Sequence, residues 1–230
     1  MAVAVTKICD PGTYSLNDAI QAGKSNAAAI PGFELHLVRF LQAQCLSRHV
    51  LLPTVFRGLD VLGGMLEENR LVTLLRPFLR SSNPQIASKC VLVIGRQSRS
   101  MAWLNSVMSE NDERIRANLI ESLWKRKEPE VELVLRNALA DPHPRVAANA
   151  VYGLYLLGID AWEEGLEKLI AHDDRSFRKS GIWMLKSSGV PDAPARLKLL
   201  IRDADAEVRS AAFNALIQLR DLGSKKTASA

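Results

Sequence analysis

The feature that most constrains the fold of this chain is an internal repeat with a period of about 31 residues. Five segments align on one apolar position, here called the anchor, and successive anchors are 29, 31, 31 and 31 residues apart. The anchors are Ile86, Ile115, Val146, Phe177 and Val208. A constant period of this length is typical of arrays in which each unit buries an apolar face against its neighbours.

Each repeat is predicted to contain two amphipathic helices. Apolar residues recur five and eight positions after every anchor, and this spacing places them on one face of a helix, here called helix B. Other apolar residues stand seven and eleven positions before every anchor, and they predict a preceding helix A. The residues eight positions after the anchors are Ile94, Leu123, Leu154, Leu185 and Leu216.

A polar turn separates the two helices of every repeat. The residues three positions before the anchors are Asn83, Asp112, His143, Asp174 and Asp205. Four of these five are Asn or Asp, which are good N-caps for the helix that follows. Pro84 and Pro144 come next, at the first helical position, where a missing N–H group has no cost. The turns therefore predict where each helix B begins.

These patterns predict an all-α fold, a right-handed α-solenoid of antiparallel helix pairs. The segments DPHPRVAANAVYGL and DADAEVRSAAFNAL resemble HEAT repeats. The short period is most similar to the roughly 30-residue variant of phycobilisome-lyase-type proteins, rather than to the roughly 40-residue form. The resemblance covers about residues 71–222. It implies a HEAT-like superhelix and specifies very little about function.

The rest of the chain departs from the repeat. Five repeats occupy residues 71–222, and residues 31–70 predict a divergent helical pair that caps the array. Residues 1–30 are predicted to form a leader with a short helix that Ser15 caps. Residues 223–230 are small and polar, and they predict a flexible tail.

An arginine directly follows the anchor in three repeats, at Arg116, Arg178 and Arg209. The HEAT resemblance implies that such an arginine binds an aspartate in the turn of the next repeat, so that a ladder links the repeats. Ala87 and Ala147 occupy the same position in the other two repeats. The predicted ladder is therefore incomplete.

Composition narrows the classes of protein that fit. With 47% hydrophobic and 24% charged residues, the chain has the composition of a soluble globular protein. No apolar run approaches the roughly 20 residues of a membrane-spanning helix, and the first residues, MAVAVTKICD, do not resemble a secretory signal. The three cysteines form no C-x-x-C pair, which favours a cytoplasmic location. The net charge of +5 permits a polyanionic partner without indicating one.

The sequence contains no common catalytic motif. It has no phosphate-binding loop, no G-x-S-x-G and no H-E-x-x-H. Its four histidines have no metal-ligand spacing on a single helix, so no metal site, cofactor or catalytic residue is predicted. Some HEAT proteins are di-iron hydroxylases that rely on His-Glu dipeptides, and this chain has none, which disfavours that enzyme class.

The candidate binding residues lie opposite the apolar stripe of helix B. Tyr152 and Trp183 stand six positions after their anchors in consecutive repeats and point away from that stripe. In HEAT arrays helix B lines the concave side, so the resemblance implies one shared inner surface. The predicted binding residues are Arg96, Glu121, Lys125, Tyr152, Leu156, Lys179 and Trp183. Large aromatic side chains beside cations are typical of a binding patch. The alternative is that both rings pack against the helices of the next repeat.

Three functions are compatible with these residues. The first is a non-enzymatic scaffold that holds a protein or peptide in the concave groove. A phycobilin-lyase-like subunit, which would attach or detach a tetrapyrrole, is implied by the resemblance alone. The third is a nucleic-acid-binding protein similar to the HEAT-like alkylpurine DNA glycosylases, with Tyr152 and Trp183 stacking on bases and Lys125 and Lys179 contacting phosphates. Glu121 interrupts the basic residues, so the sequence favours the scaffold.

Overall fold

A computed structural model describes the backbone of residues 1–47 and 49–227 and the side chains as far as residue 221. The regular structure of these residues is entirely α-helical, which confirms the predicted fold class. The helices of the first half are α1 (Ala2–Cys9), α2 (Leu16–Ala29), α3 (Phe33–Leu46), α4 (Leu52–Met65), α5 (Glu68–Leu79), α6 (Pro84–Gly95), α7 (Met101–Met108) and α8 (Glu113–Ser122). Those of the second half are α9 (Pro129–Ala138), α10 (Pro144–Leu157), α11 (Ala161–Ile170), α12 (Arg175–Ser188), α13 (Ala193–Leu200) and α14 (Ala206–Thr227).

The chain divides into two compact units, unit 1 (Met1–Ser122) and unit 2 (Leu123–Ala230). Within each unit, the A and B helices alternate along the sequence as predicted. In unit 1, α5 packs against α6, and α6 packs against α4 and α8. In unit 2, α10 packs against both α11 and α12, and α12 packs against α14. The second helices of consecutive repeats are therefore direct neighbours inside each unit.

The N-terminal segment contributes more to unit 1 than the predicted short helix. Ser15 does cap a helix, since its hydroxyl accepts a hydrogen bond from the Asp18 backbone N–H, but that helix, α2, is 14 residues long. A further helix, α1, precedes it and buries Val5, Ile8 and Cys9. These three residues recur at three- and four-residue spacing, so they form one apolar face that packs against α4.

The predicted apolar columns form the core of unit 2. Val151, Leu154, Ile182 and Leu185 are all at most 4% exposed. The last repeat is different, because Phe213 stands in the same column as Val151 and is 57% exposed. The expectation that this column is buried in every repeat is therefore wrong for α14, against which no later helix packs within the described residues.

In each of the five repeats, a side chain in the turn between helices A and B caps the helix that follows. The four caps predicted from Asn and Asp are confirmed by hydrogen bonds from backbone N–H groups two or three residues ahead. His143 does the same with its imidazole, because Nδ1 accepts a hydrogen bond from the Arg145 N–H at 3.3 Å. Gly158 and Gly189 end α10 and α12 with a φ of 70°, a left-handed conformation that suits glycine.

The last helix continues past the predicted end of the repeats. Its backbone is helical as far as Thr227, within the segment 223–230 that the sequence predicts to be a flexible tail. The final three residues of that segment lie outside the described part of the chain. Within the described residues, no helix combines the length and the apolarity needed to cross a membrane.

Helices α6 and α8 approach each other closely at Gly95. A Cβ atom at this position would collide with the side chain of Ser122 and would lie 3.3 Å from a methyl group of Leu119. Because both neighbours are buried, Gly95→Ala is expected to force the two helices apart and to lower the free energy of unfolding by about 1 to 3 kcal/mol. Urea denaturation followed by circular dichroism measures this loss.

The matched control is Gly12→Ala in the same unit. A Cβ atom there would meet only the carboxylate of Asp10, at 3.5 Å, which is an ordinary contact. This substitution is expected to change the free energy of unfolding by less than about 0.5 kcal/mol. Equal stability of the two variants would show that α6 and α8 are not in close contact at Gly95.

Candidate functional site

Five aromatic side chains of unit 2 form a continuous group, here called the aromatic cluster. Tyr152 lies at its centre, with its ring centroid 4.8 Å from that of Trp124 and 5.6 Å from that of Trp183, both in edge-to-face geometry. Tyr155 stacks on Tyr152 at 6.4 Å and meets Trp162 edge-to-face at 5.2 Å. Aromatic pairs in these arrangements are attractive beyond the area that they bury.

The repeat architecture explains why these rings meet. Tyr152 on α10 and Trp183 on α12 occupy the same position of consecutive repeats, and their two helices pack against each other. Tyr155 follows Tyr152 by three positions, so both rings lie on the same side of α10. Trp162 is the second residue of α11 and reaches the cluster from a first helix.

Hydrogen bonds to the backbone hold two of the rings. The Tyr152 hydroxyl donates to the carbonyl oxygen of Ser187 on α12 at 3.4 Å. Nε1 of Trp124 donates to the carbonyl oxygen of Asn149 on α10 at 2.9 Å. The polar atoms of these side chains are therefore satisfied within unit 2, and the rings are fixed before any ligand arrives.

The cluster is half-buried. Tyr152 and Trp183 both pack against the apolar core of unit 2, and each keeps part of its surface accessible. The sequence left open whether these rings pack against the next repeat, and the Tyr152 ring does contact Trp183 of the next repeat. Leu156, one turn after Tyr152 on α10, is 36% exposed and extends the apolar surface.

The two predicted cations of unit 2 are Lys179 and Lys125. Lys179 is exposed, but its Nζ lies 2.9 Å from Oε2 of Glu207 on α14. Arg175 binds the same carboxylate at 3.0 Å. The hydrogen bond from Lys179 and the charge of Arg175 lower the pKa of Glu207. Lys125 is exposed after the end of α8, where its φ is 70°.

Two predicted binding residues belong to unit 1. Arg96 lies at the end of α6, with Nη1 3.6 Å from Oδ1 of Asp60. Lys89 binds the same carboxylate at 2.7 Å. Glu121 is half-buried on α8. The other five predicted residues lie in unit 2, and only Tyr152 and Trp183 among them are members of the aromatic cluster.

The sequence prediction missed Trp124, Tyr155 and Trp162. A signal for two of them was present, since Trp124 and Tyr155 both stand nine positions after an anchor. That position lies close to the one that holds Tyr152 on the helical surface. Trp162 has no such signal, because its contact joins a first helix to a second helix.

Two cysteines, Cys9 and Cys90, are buried, and His172 forms a hydrogen bond within a turn. Burial raises the pKa of the Cys9 thiol to about 12, and it raises that of Cys90 well above the ordinary range. Such buried thiols are poor nucleophiles. In the turn before α12, Nδ1 of His172 accepts a hydrogen bond from the Asp174 N–H at 2.9 Å. Within the described residues, no three His, Cys, Asp or Glu side chains lie close enough together to bind a metal ion.

Comparison with known families gives one match. Residues 132–217 match the family described as HEAT repeats. The matched segment lies within unit 2 and includes both Tyr152 and Trp183, and it confirms the resemblance to HEAT repeats for these residues. No curated protein sequence matches the chain.

Several solved structures match the chain at low identity and low TM-score. Human deoxyhypusine hydroxylase in complex with glycerol is 15% identical, with a TM-score of 0.40, over 93% of this chain and 83% of the hydroxylase. The designed armadillo repeat protein YIII(Dq)4CqI is 15% identical, with a TM-score of 0.34, over 80% and 99% of the two chains. A second designed armadillo protein, in complex with the peptide (KR)4, is 15% identical, with a TM-score of 0.32, over 94% and 97%. Likeness at this level does not bear on function.

Proposed function

We propose that this chain, in which residues 132–217 match HEAT repeats, is a non-enzymatic scaffold that binds a protein or peptide on the face formed by its second helices. The observation that carries the proposal is the aromatic cluster of unit 2. Tyr152 and Trp183 are fixed by ring contacts on consecutive repeats and still keep part of their surface accessible. Rigid aromatic side chains with this degree of exposure are typical anchors of protein interfaces.

The surroundings of the cluster favour a ligand with apolar side chains. Leu156 adds exposed aliphatic surface one turn from Tyr152. The ion pair of Lys179 with Glu207 lies one turn before Trp183 and places both signs of charge beside the rings. Charges at the rim of an interface chiefly affect the association rate, whereas buried aromatic anchors supply affinity. The cluster is therefore proposed as the anchor site.

The same contacts weaken the nucleic-acid alternative. Lys179 is bound to Glu207, so one of the two predicted phosphate-binding cations already has a carboxylate partner. Proteins that bind nucleic acid without a sequence preference instead combine aromatic rings with unneutralised basic grooves. The phycobilin-lyase alternative has only the repeat type in its favour.

Peptide selection followed by substitution tests the proposed function. Peptides would be selected from a random phage-displayed library on the full chain, and their affinities would be measured by fluorescence polarisation. Trp183→Ala is expected to weaken the selected peptides at least tenfold, about 1.4 kcal/mol, because an anchoring ring is lost. Thermal melting of the variant checks that the fold is retained.

The matched control is Leu133→Ala. Leu133 is 56% exposed on α9, a first helix of the same unit, so this substitution removes exposed apolar surface away from the proposed face. It is expected to leave peptide affinity unchanged. If every selected peptide binds the Trp183→Ala variant as tightly as the unchanged chain, the proposed face is wrong. Retention of DNA or RNA that is lost on adding salt would instead favour the nucleic-acid alternative.

A further inference from the structure

Within the described residues, one row of side chains on α14 includes two large apolar residues that remain exposed. Arg209, Phe213, Ile217 and Asp221 are spaced by four residues, so they form a single ridge along the helix. Phe213 is 57% exposed and Ile217 is 45% exposed. The residues equivalent to Phe213 in the four preceding repeats, all of them at most 4% exposed, are Val91, Ile120, Val151 and Ile182. Among the described residues, nothing covers the equivalent face of α14.

Helix α14 is also longer than the second helices of the two preceding repeats. It spans 22 residues, whereas α10 and α12 span 14 each. The ridge residue Asp221 is exposed and stands beyond the point at which α10 and α12 end relative to their anchors. The ridge therefore places an acidic group at one end and a basic group at the other, with two apolar side chains between them.

The arginine of this ridge uses only part of its guanidinium group. In the preceding repeat, Arg178 binds the backbone with Nη1 and binds both carboxylate oxygens of Asp203 with Nε and Nη2. Arg209 repeats the backbone contacts, since its Nη1 donates to the carbonyl oxygens of Asp203 and Ala204. Within the described residues, no carboxylate binds the Nε and Nη2 edge of Arg209. The two N–H groups of this edge are geometrically suited to donate hydrogen bonds to one carboxylate.

We propose that two copies of this chain associate through α14 in a two-fold symmetric, antiparallel dimer. A two-fold axis that passes midway between Phe213 and Ile217 places Phe213 of each copy against Ile217 of the other. The same operation places Arg209 of each copy opposite Asp221 of the other, because both charges lie four residues outside the apolar pair. Ridges of residues spaced by four pack against each other at a crossing angle of about −50°. The carboxylate of Asp221 then takes the place that Asp203 has beside Arg178.

The opposite charges at the two ends of the ridge indicate that its partner is a second copy of the chain. A two-fold interface must be complementary to itself, so that residue i contacts j while j contacts i. The ridge meets this condition, since its basic and acidic ends are exchanged when the helix is reversed.

Sedimentation equilibrium of the full chain tests the dimer. The unchanged chain is expected to shift from monomer to dimer as its concentration rises through the micromolar range. Arg209→Asp and Asp221→Arg each create two like-charged contacts across the axis, and each is expected to weaken association at least tenfold. An equimolar mixture of the two variants restores both opposite-charge contacts, and it is expected to associate as tightly as the unchanged chain.

Phe213→Asp provides a second variant that does not depend on the turn contacts of Arg209. Phe213 is mostly exposed, so this variant is expected to keep its circular-dichroism spectrum and melting temperature while losing the dimer. The proposal is overturned if the unchanged chain sediments as a monomer throughout. It is equally overturned if the dimer tolerates Phe213→Asp, or if mixing the two charge variants fails to restore association.

Discussion

Leu185→Ala is expected to lower the free energy of unfolding by about 2 to 5 kcal/mol. Leu185 is completely buried on α12, within the apolar core of unit 2. Removing three side-chain carbon atoms loses their transfer free energy and leaves a cavity that the packed helices fill only in part. Because the stability of a repeat array depends on contacts between neighbouring repeats, the loss is expected to reach α10 and α14 as well.

Urea denaturation followed by circular dichroism measures this effect, with Leu199→Ala as the matched control. Leu199 lies on α13 in the same unit and is 72% exposed, so its truncation is expected to change stability by less than about 0.5 kcal/mol. Leu154→Ala, at the equivalent position of the preceding repeat, is expected to behave like Leu185→Ala. If Leu185→Ala and Leu199→Ala denature at the same urea concentration, the register assigned to helix B is wrong.

The period of the sequence predicts which face of each helix is apolar. It does not predict whether another helix covers that face. Leu154 and Leu185 are buried as their spacing indicates, because each has a following repeat to pack against. Phe213 matches Val151 and Ile182 equally well in sequence and is exposed. The difference arises from the neighbour that covers a helix, and periodicity within that helix contains no information about its neighbour.

The sequence predicted the hydrogen bonds whose donor and acceptor lie two or three residues apart. The caps formed by Asp174 and Asp205 involve N–H groups two or three residues ahead, so residue type and position determine them. His143 forms the same kind of cap, because an imidazole nitrogen can accept this hydrogen bond when the ring is neutral. The preferences of residue types at the N-cap position favour Asn and Asp without excluding His.

The candidate site was predictable only in part because its contacts join different repeats. Tyr152 and Trp183 share one helical position, and their contact follows from the packing of consecutive second helices. The ion pair of Lys179 with Glu207 links residues 28 positions apart. Several nearby cations and carboxylates could have formed pairs at that separation, and only the packing of α12 against α14 decides between them.

The sequence predicted a ladder of contacts between an arginine of one repeat and an aspartate of the next. In unit 2, the contact between Arg178 and Asp203 is one such contact, here called the rung. Nε and Nη2 of Arg178 bind the two carboxylate oxygens at 2.9 and 3.0 Å. The two side chains are only 15% and 11% exposed, so water screens the pair weakly. Burial raises the pKa of Asp203, but the hydrogen bonds from the Asp205 N–H and from Arg178 outweigh it and hold the pKa below its ordinary 3.8.

Arg178→Met is therefore expected to lower the free energy of unfolding by about 2 to 4 kcal/mol at neutral pH. The substitution keeps an aliphatic side chain but leaves the Asp203 carboxylate nearly buried without its cation. The matched control is Arg209→Met, which removes the equivalent backbone contacts of Nη1 with no carboxylate involved. Measured at dilute protein concentration, the difference between the two variants gives the contribution of the rung.

The effect of Arg178→Met is expected to shrink in acid. A carboxyl group whose pKa is lower in the folded protein stabilises the fold above its unfolded pKa, near 3.8 for Asp203, and this stabilisation is lost as the pH falls through the folded value. The unchanged chain loses the contribution of the rung in that window, whereas the variant has none to lose. Urea denaturation at neutral pH and below pH 3 should therefore show the two stabilities converging. A difference that stays constant with pH would mean that Arg178 stabilises the turn through its backbone contacts alone, and that the repeats are joined by apolar packing rather than by this ion pair.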